Sequence, residues 1–282
     1  MSEEQSTRQK GKKKGEAEMS FLDHLEELRW HIIRSALAVL VFAIVAFILK
    51  GFIFDQIILR PRMPEFWTNR MLAKLGELVG TDALKINQQP LKLIAIKMSD
   101  QFMMHIMTSL IAGIIMASPF IIYEFWRFIK PALYEKEKKH ASGAVFYTSV
   151  LFIMGVLFGY FLITPLSIEF LGTYSVSPEV TNQINTRSYI GTVTSISLAS
   201  GVVFLLPIFV FFLSKVGILT PQFMKTYRKH SYVLMLLLSA IITPPDIFSQ
   251  IMVCIPLILL YEVGIVISRR VVKKREEEFD AM

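Results

Sequence analysis

The chain has 282 residues, of which 53% are apolar and 19% charged, and it carries a net charge of +7. Its charges cluster between long apolar runs, which is the patterning of an integral membrane protein and argues against a water-soluble globular fold. The basic residues sit at the ends of apolar segments, where they set topology and meet anionic headgroups, so lipid is the expected surface partner and nucleic acid is not.

Residues 1–18 hold one apolar side chain after Met1 and read as a disordered basic tail on the cytoplasmic side. Ser20 then caps a predicted amphipathic helix with Asp23 three residues on. Phe21, Leu25, Leu28 and Ile32 form its apolar stripe, the pattern of a helix lying in the membrane interface. Its other face carries Glu27, His31 and Arg34, with Glu26 and Trp30 beside them. Charge alone makes this an ordinary solvated face with weak ion pairs.

Apolar runs follow at about Ile33 to Phe54, Gln101 to Ile122, Ala141 to Ile168, Ile190 to Leu213, Tyr232 to Ile242 and Ile251 to Ile267. The first is expected to be a retained span, because no small-residue cleavage site follows it. The first four reach the ~20 residues needed to cross ~30 Å of hydrocarbon. The fifth has only eleven, about 16 Å of helix, and the sixth is little longer. Thr243-Pro244-Pro245-Asp246 is a strong turn signal between two short antiparallel helices. Pro119, Pro165, Pro207 and Pro256 lie inside apolar runs and predict kinks, with neighbours meeting the carbonyls that proline leaves without a donor.

Orientation follows from Lys and Arg. Seven lie between Met1 and Arg34, five between Arg127 and Lys139, four between Lys215 and Lys229 and five after Ile267, so 21 of the 30 share one side. The positive-inside rule makes that side cytoplasmic, although the Asp55 to Ser99 loop on the other side holds seven. The expected architecture is therefore an all-α membrane protein of six transmembrane helices, the last two short, with both termini inside. Residues 19–268 form one membrane domain and 269–282 a charged cytoplasmic tail.

Catalysis finds no support: none of the five histidines belongs to an HExxH motif, no GxSxG occurs, and no aspartate pair lies within a span. No metal site or cofactor is expected, and Cys254, the single cysteine, reads as a small core residue that can form no intrachain disulfide. His105 reads as a hydrogen-bonded residue at a helix interface. A proton- or ion-coupled transporter of small solutes is the alternative function, but such proteins place ionisable groups near the bilayer midplane and spans three to five hold none. Glu262 in span six is near Arg269 and Arg270, with which it could pair.

Four stretches decide between these readings. FLDHLEELR (Phe21 to Arg29), FIKPALYEKEKK (Phe128 to Lys139), LLLSAIITPPDIFSQ (Leu236 to Gln250) and IPLILLYEVGI (Ile255 to Ile265) resemble the TatC family, the large receptor subunit of the twin-arginine protein translocase. The resemblance implies six spans and a cell inner membrane location. It implies a receptor that binds the consecutive arginines of signal peptides on folded cargo, works with single-span partners of the TatA/TatB type, assembles as a homo-oligomer and draws on the proton motive force. Its signal-binding positions match Glu27, Arg29, Phe128 and Glu137. The chemistry is sound, since a carboxylate meets the planar fork of a guanidinium bidentately and a lysine ammonium cannot reproduce that. Two such contacts supply roughly 3 to 6 kcal/mol before association costs, so the apolar part of the signal must add binding energy. The family's polar residue two positions before a proline in span four is replaced by Leu205, so a partner helix is expected to dock by shape against Leu205 and Gly201.

Overall fold

The computed structural model describes residues 21–89, 91–129, 141–180, 182–243 and 247–280. The expected turn residues Pro244, Pro245 and Asp246 and the expected site residue Glu137 lie outside them. Helix α1 spans Phe21–Ile48. A π-helical segment (Phe52–Ile58), a 3-10 turn (Arg60–Arg62) and α2 (Trp67–Val79) follow, then α3 (Asp100–Ile129). Helix α4 (Ala141–Phe158) runs through a π-helical stretch (Gly159–Ile163) into α5 (Thr164–Thr173). Helix α6 (Thr186–Val203) breaks at Phe204 and Leu205 before α7 (Leu206–Val216). The short α8 (Pro221–Thr226) leads into α9 (Arg228–Ile242), and α10 (Ile247–Asp280) closes the chain. Five helical stretches, Leu25–Ile48, Asp100–Ile129, Gly143–Thr173, Thr186–Val216 and Ser249–Lys274, are long and apolar enough to cross a membrane. Helix α9 has 15 residues, about 22 Å of rise.

Two expectations change. The amphipathic stretch before span one is not a separate interfacial helix, because no Gly or Pro interrupts residues 21 to 48 and the helix continues unbroken into the apolar run. Nor is the last helix short: α10 has 34 residues, since Pro256 leaves it intact and the charged stretch expected as a separate tail from 269 onward continues it to Asp280.

The prolines act as backbone chemistry dictates. Pro119 stays inside α3, and the carbonyl of Ile115, which its missing N–H cannot serve, accepts the Ser118 hydroxyl at 2.8 Å. Pro165 opens α5 after the π-helical stretch, and the Thr68 hydroxyl reaches across from α2 to the freed Phe161 carbonyl. Pro207 opens α7 after the Phe204–Leu205 break.

Small residues set the helix spacing. Helix α1 lies along α3, and a Cβ built on Gly113 of α3 would sit 2.8 Å from the Val39 carbonyl and the Ala43 amide nitrogen of α1. Helices α4 and α6 meet as closely, with Gly155 against the Ser200 carbonyl and Gly159 against that of Ile196. Such contact is how helices gain packing where lipid tails are as apolar as leucine. Buried hydroxyl pairs add to it: Ser167 and Ser249 are 2.8 Å apart, and Ser214 donates to Ser268 at 2.7 Å. The outward faces are apolar, with Leu37, Leu40, Val41 and Ile44 of α1 and Leu234, Leu236 and Leu237 of α9 exposed. Cys254 is buried with Ile163, Ile196 and Leu257, as expected of a core residue.

One end of the bundle carries a built cap. Leu93–Ile94 pairs in parallel with Ile184–Asn185, and Thr186 donates its hydroxyl to the Ile94 carbonyl at 3.0 Å. Arg62 donates to the Leu91 carbonyl at 2.5 Å, while Tyr160 and Tyr189 donate to the Ile57 and Ile58 carbonyls. At its centre Asn69, 1% exposed, donates to the Pro61 and Met63 carbonyls and accepts from Asn87. Asn87 takes a left-handed φ of 49°, which asparagine tolerates better than most residues, and its own N–H donates to Glu169 at 2.6 Å. His105, beside this cap, stacks on Phe47 with ring centroids 3.8 Å apart and meets the Phe47 carbonyl at 3.0 Å, as an interface histidine should.

Candidate signal-binding site

The opposite end of α1 and α3 brings charge into the helix interface. Glu27, His31 and Arg34 fall on one face of α1 by their spacing of four and three, and that face meets the last two turns of α3. Glu124 of α3 is 3% exposed and lies 2.5 Å from Nδ1 of His31, itself 5% exposed. When Glu124 is ionised its carboxylate can only accept, and Nδ1 then carries the proton and donates it. On the far side of the ring, Nε2 of His31 faces Oε1 of Glu27 at 3.9 Å, beyond hydrogen-bond range. The second oxygen of Glu27 is buried and, among the described residues, accepts no hydrogen bond. Arg34, half exposed, reaches Glu124 at 3.8 Å, and Phe128 presents its ring to His31 at 5.9 Å and 66°.

Of the site residues expected from sequence, Glu27 and Phe128 thus converge on His31, and Arg29 is exposed on the same helix. Glu124 is the functional candidate that sequence reading missed. Its signal was available, an acid two residues past the apolar run of span two, but no pattern within one helix tells which residue of another it will face.

The residues expected at a partner contact in span four pack in large part within this chain. Gly201 is buried against α4, where an added Cβ would sit 2.7 Å from Val156 and 3.0 Å from Phe152, so its closeness is spent inside this chain. Leu205 is half-buried against the cluster of Ile122, Trp126, Phe152 and Val156. Val202 and Phe209, at 52% and 50% exposure, are outward positions on either side of Leu205. Glu262 does not turn to Arg269 or Arg270: Arg228 donates to it at 2.8 Å and Tyr232 at 2.6 Å, which joins α9 to α10.

The geometry of these helices is shared with proteins already known. The family model of the Sec-independent protein translocase protein (TatC) matches residues 23–256. The chain belongs to the TatC family. It is 40% identical over 260 residues to the TatC protein of Blattabacterium sp. subsp. Periplaneta americana (strain BPLAN), covering 92% of this chain and 98% of that one. The TatCy protein of Bacillus subtilis (strain 168) is 32% identical, with 92% of each chain covered. A crystal structure of the twin-arginine translocase receptor TatC in DDM superposes with a TM-score of 0.69 at 32% identity, covering 87% of this chain and 99% of that one. This TatC-family chain is accordingly a multi-pass membrane protein of the Sec-independent protein translocase and works in protein transport.

Proposed function

We propose that this chain is the component of its translocase that binds Arg-Arg signal peptides of folded cargo. It crosses the cell inner membrane six times with both ends in the cytoplasm, and α9 is its fifth and shortest span. The observation that carries the reading is Glu27: a carboxylate with one buried, unpartnered oxygen, held on a rigid helix where the chain leaves the membrane. Leaving a buried acceptor unmade costs about 1 to 3 kcal/mol, and an arriving guanidinium removes that cost. Glu137 is the second carboxylate in this reading, with Arg29 and Phe128 beside the signal. Single-span partners of the TatA/TatB type dock on the outward face beside Leu205, at Val202 and Phe209, and several copies of the chain assemble in the translocase. The 15 residues of α9 are short for ~30 Å of hydrocarbon, so the membrane thins beside it.

The test uses a synthetic signal peptide and the full chain in nanodiscs. Glu27→Ala should weaken binding of an Arg-Arg peptide by about 10- to 100-fold, and of a Lys-Lys peptide far less, because bidentate geometry is what is lost. Equal losses for both peptides would reduce the site to net charge and overturn the reading. Topology has its own check: a membrane-impermeant thiol reagent should label a cysteine at Glu179 from outside intact cells and leave one at Glu277 unlabelled. Labelling at Glu277 would sink the arrangement with both ends inside.

A further inference from the structure

We propose that His31 is a second acceptor for the signal's arginine, held in the accepting tautomer by Glu124, so that His31 and Glu27 together form a two-acceptor notch. The inference rests on the receptor reading above and adds to it a residue and a protonation state.

The argument begins with the proton on the ring. An ionised Glu124 can only accept, and it lies 2.5 Å from Nδ1, so in that state the Nδ1–H is committed to it. A neutral imidazole with its proton on Nδ1 has a lone pair on Nε2. That lone pair faces Glu27 Oε1 across 3.9 Å, two acceptors with no donor between them. Two acceptors turned toward each other are a poor arrangement for a protein to bury unless a donor is to come between them. An N–H group within the usual ~2.9 Å of each fits across that gap, and a guanidinium has further N–H groups left for the unpartnered Oε2 of Glu27. The partners of the ring are fixed as well: Phe128 packs against it edge-on and Glu124 is 3% exposed, so the imidazole has little freedom to turn away.

The arrangement has a direction in pH. Among the described residues, the charged groups against His31 are Glu27 and Arg34 from α1 and Glu124 from α3. Protonating Nε2 removes the acceptor, places a cation where the guanidinium must enter, and gives Glu27 a donor of its own. An imidazolium at this position would therefore weaken signal binding, and Glu124 acts as a positioning residue by keeping the lone pair on Nε2.

The experiment measures binding of the synthetic Arg-Arg peptide to the full chain in nanodiscs between about pH 8 and pH 5. His31→Phe keeps an aromatic ring against Phe128 and removes the acceptor, and it should weaken binding about tenfold at the upper pH and flatten the fall on acidification. Because that variant strands Glu124 with Arg34 alone, the double variant His31→Phe, Glu124→Leu is measured beside it and should give the same loss and the same flat profile. Glu27-dependent binding that stays within about twofold of the parent in the double variant, or keeps the parent's pH profile, would overturn the notch while leaving the receptor reading in place. Glu27→Ala without effect on the Arg-Arg peptide would overturn the receptor reading, and the notch with it.

Discussion

Gly113→Leu should yield a chain that no longer holds α1 against α3. The Cβ alone would lie 2.8 Å from two backbone atoms of α1, the Val39 carbonyl oxygen and the Ala43 amide nitrogen. Neither can rotate aside as a side chain would, so the helices must separate, and overpacking of this kind costs typically 1 to 3 kcal/mol and more where backbone must move. Even Gly113→Ala should be felt. The separation reaches the candidate site, because His31 is on α1 and its partner Glu124 on α3. We therefore expect Gly113→Leu to lose both thermal stability in detergent and binding of the Arg-Arg peptide. Gly191→Ala, where an added Cβ meets nothing within 4 Å, is the matched control and should be neutral within about 1 kcal/mol. A Gly113→Leu chain that melts with the parent would show that α1 and α3 are not in this contact.

The second large effect is expected at the other end of the bundle. Asn69→Leu fills a similar volume but deprives the Pro61 carbonyl of its donor, and it takes one of two partners from the Met63 carbonyl, which keeps the Phe66 N–H, and from the Asn87 amide, which keeps the Pro165 carbonyl. The stranded acceptor costs about 1 to 3 kcal/mol and each further lost hydrogen bond about 0.5 to 1.5 kcal/mol, so a loss of roughly 2 to 6 kcal/mol is expected in total. Limited proteolysis between α2 and α3 should accelerate while affinity for the Arg-Arg peptide stays unchanged, since the cap and the candidate site lie at opposite ends of α1. Asn182→Ala, which removes an exposed donor to the Tyr174 and Gly172 carbonyls, should cost under ~1 kcal/mol. Equal sensitivity at positions 69 and 182 would mean that the cap is not a stabilising unit.

Much of this architecture was legible in the residues, and the reasons for the rest are physical. Long apolar runs bounded by charge located the helices, because a bilayer demands them. The fusion of the amphipathic stretch with the first span was missed by treating a change of composition as a change of structure, although nothing between Phe21 and Ile48 breaks a helix. Proline was ambiguous: Pro165 and Pro207 stand where a regular helix gives way, whereas Pro119 and Pro256 do not. The Ile115 carbonyl is served by Ser118 of its own helix and the Phe161 carbonyl by Thr68 from α2, so a partner for the freed carbonyl does not by itself decide whether the helix runs on. Gly201 makes a related point, since a small residue announces close approach without saying which helix approaches. Glu27 and Phe128 were legible through their motifs; Glu124 needed the register of two helices.

The cap fastens the chain's helices at one end through paired backbone, buried amides and tyrosine hydroxyls, and the candidate site lies at the free end. A helix held this way behaves as a lever. His31 is 17 residues from the end of α1 at Ile48, about 26 Å at 1.5 Å per residue. A tilt of about 5° around the fastened end therefore displaces His31 by about 2 Å, a shift in the range of the helix movements that switch other proteins. That is enough to part Nδ1 from Glu124, while a residue one turn from the pivot moves by less than ~0.5 Å. The close packing of α1 on α3 at Gly113, between the two ends, opposes such a tilt and so keeps the contact between His31 and Glu124 made.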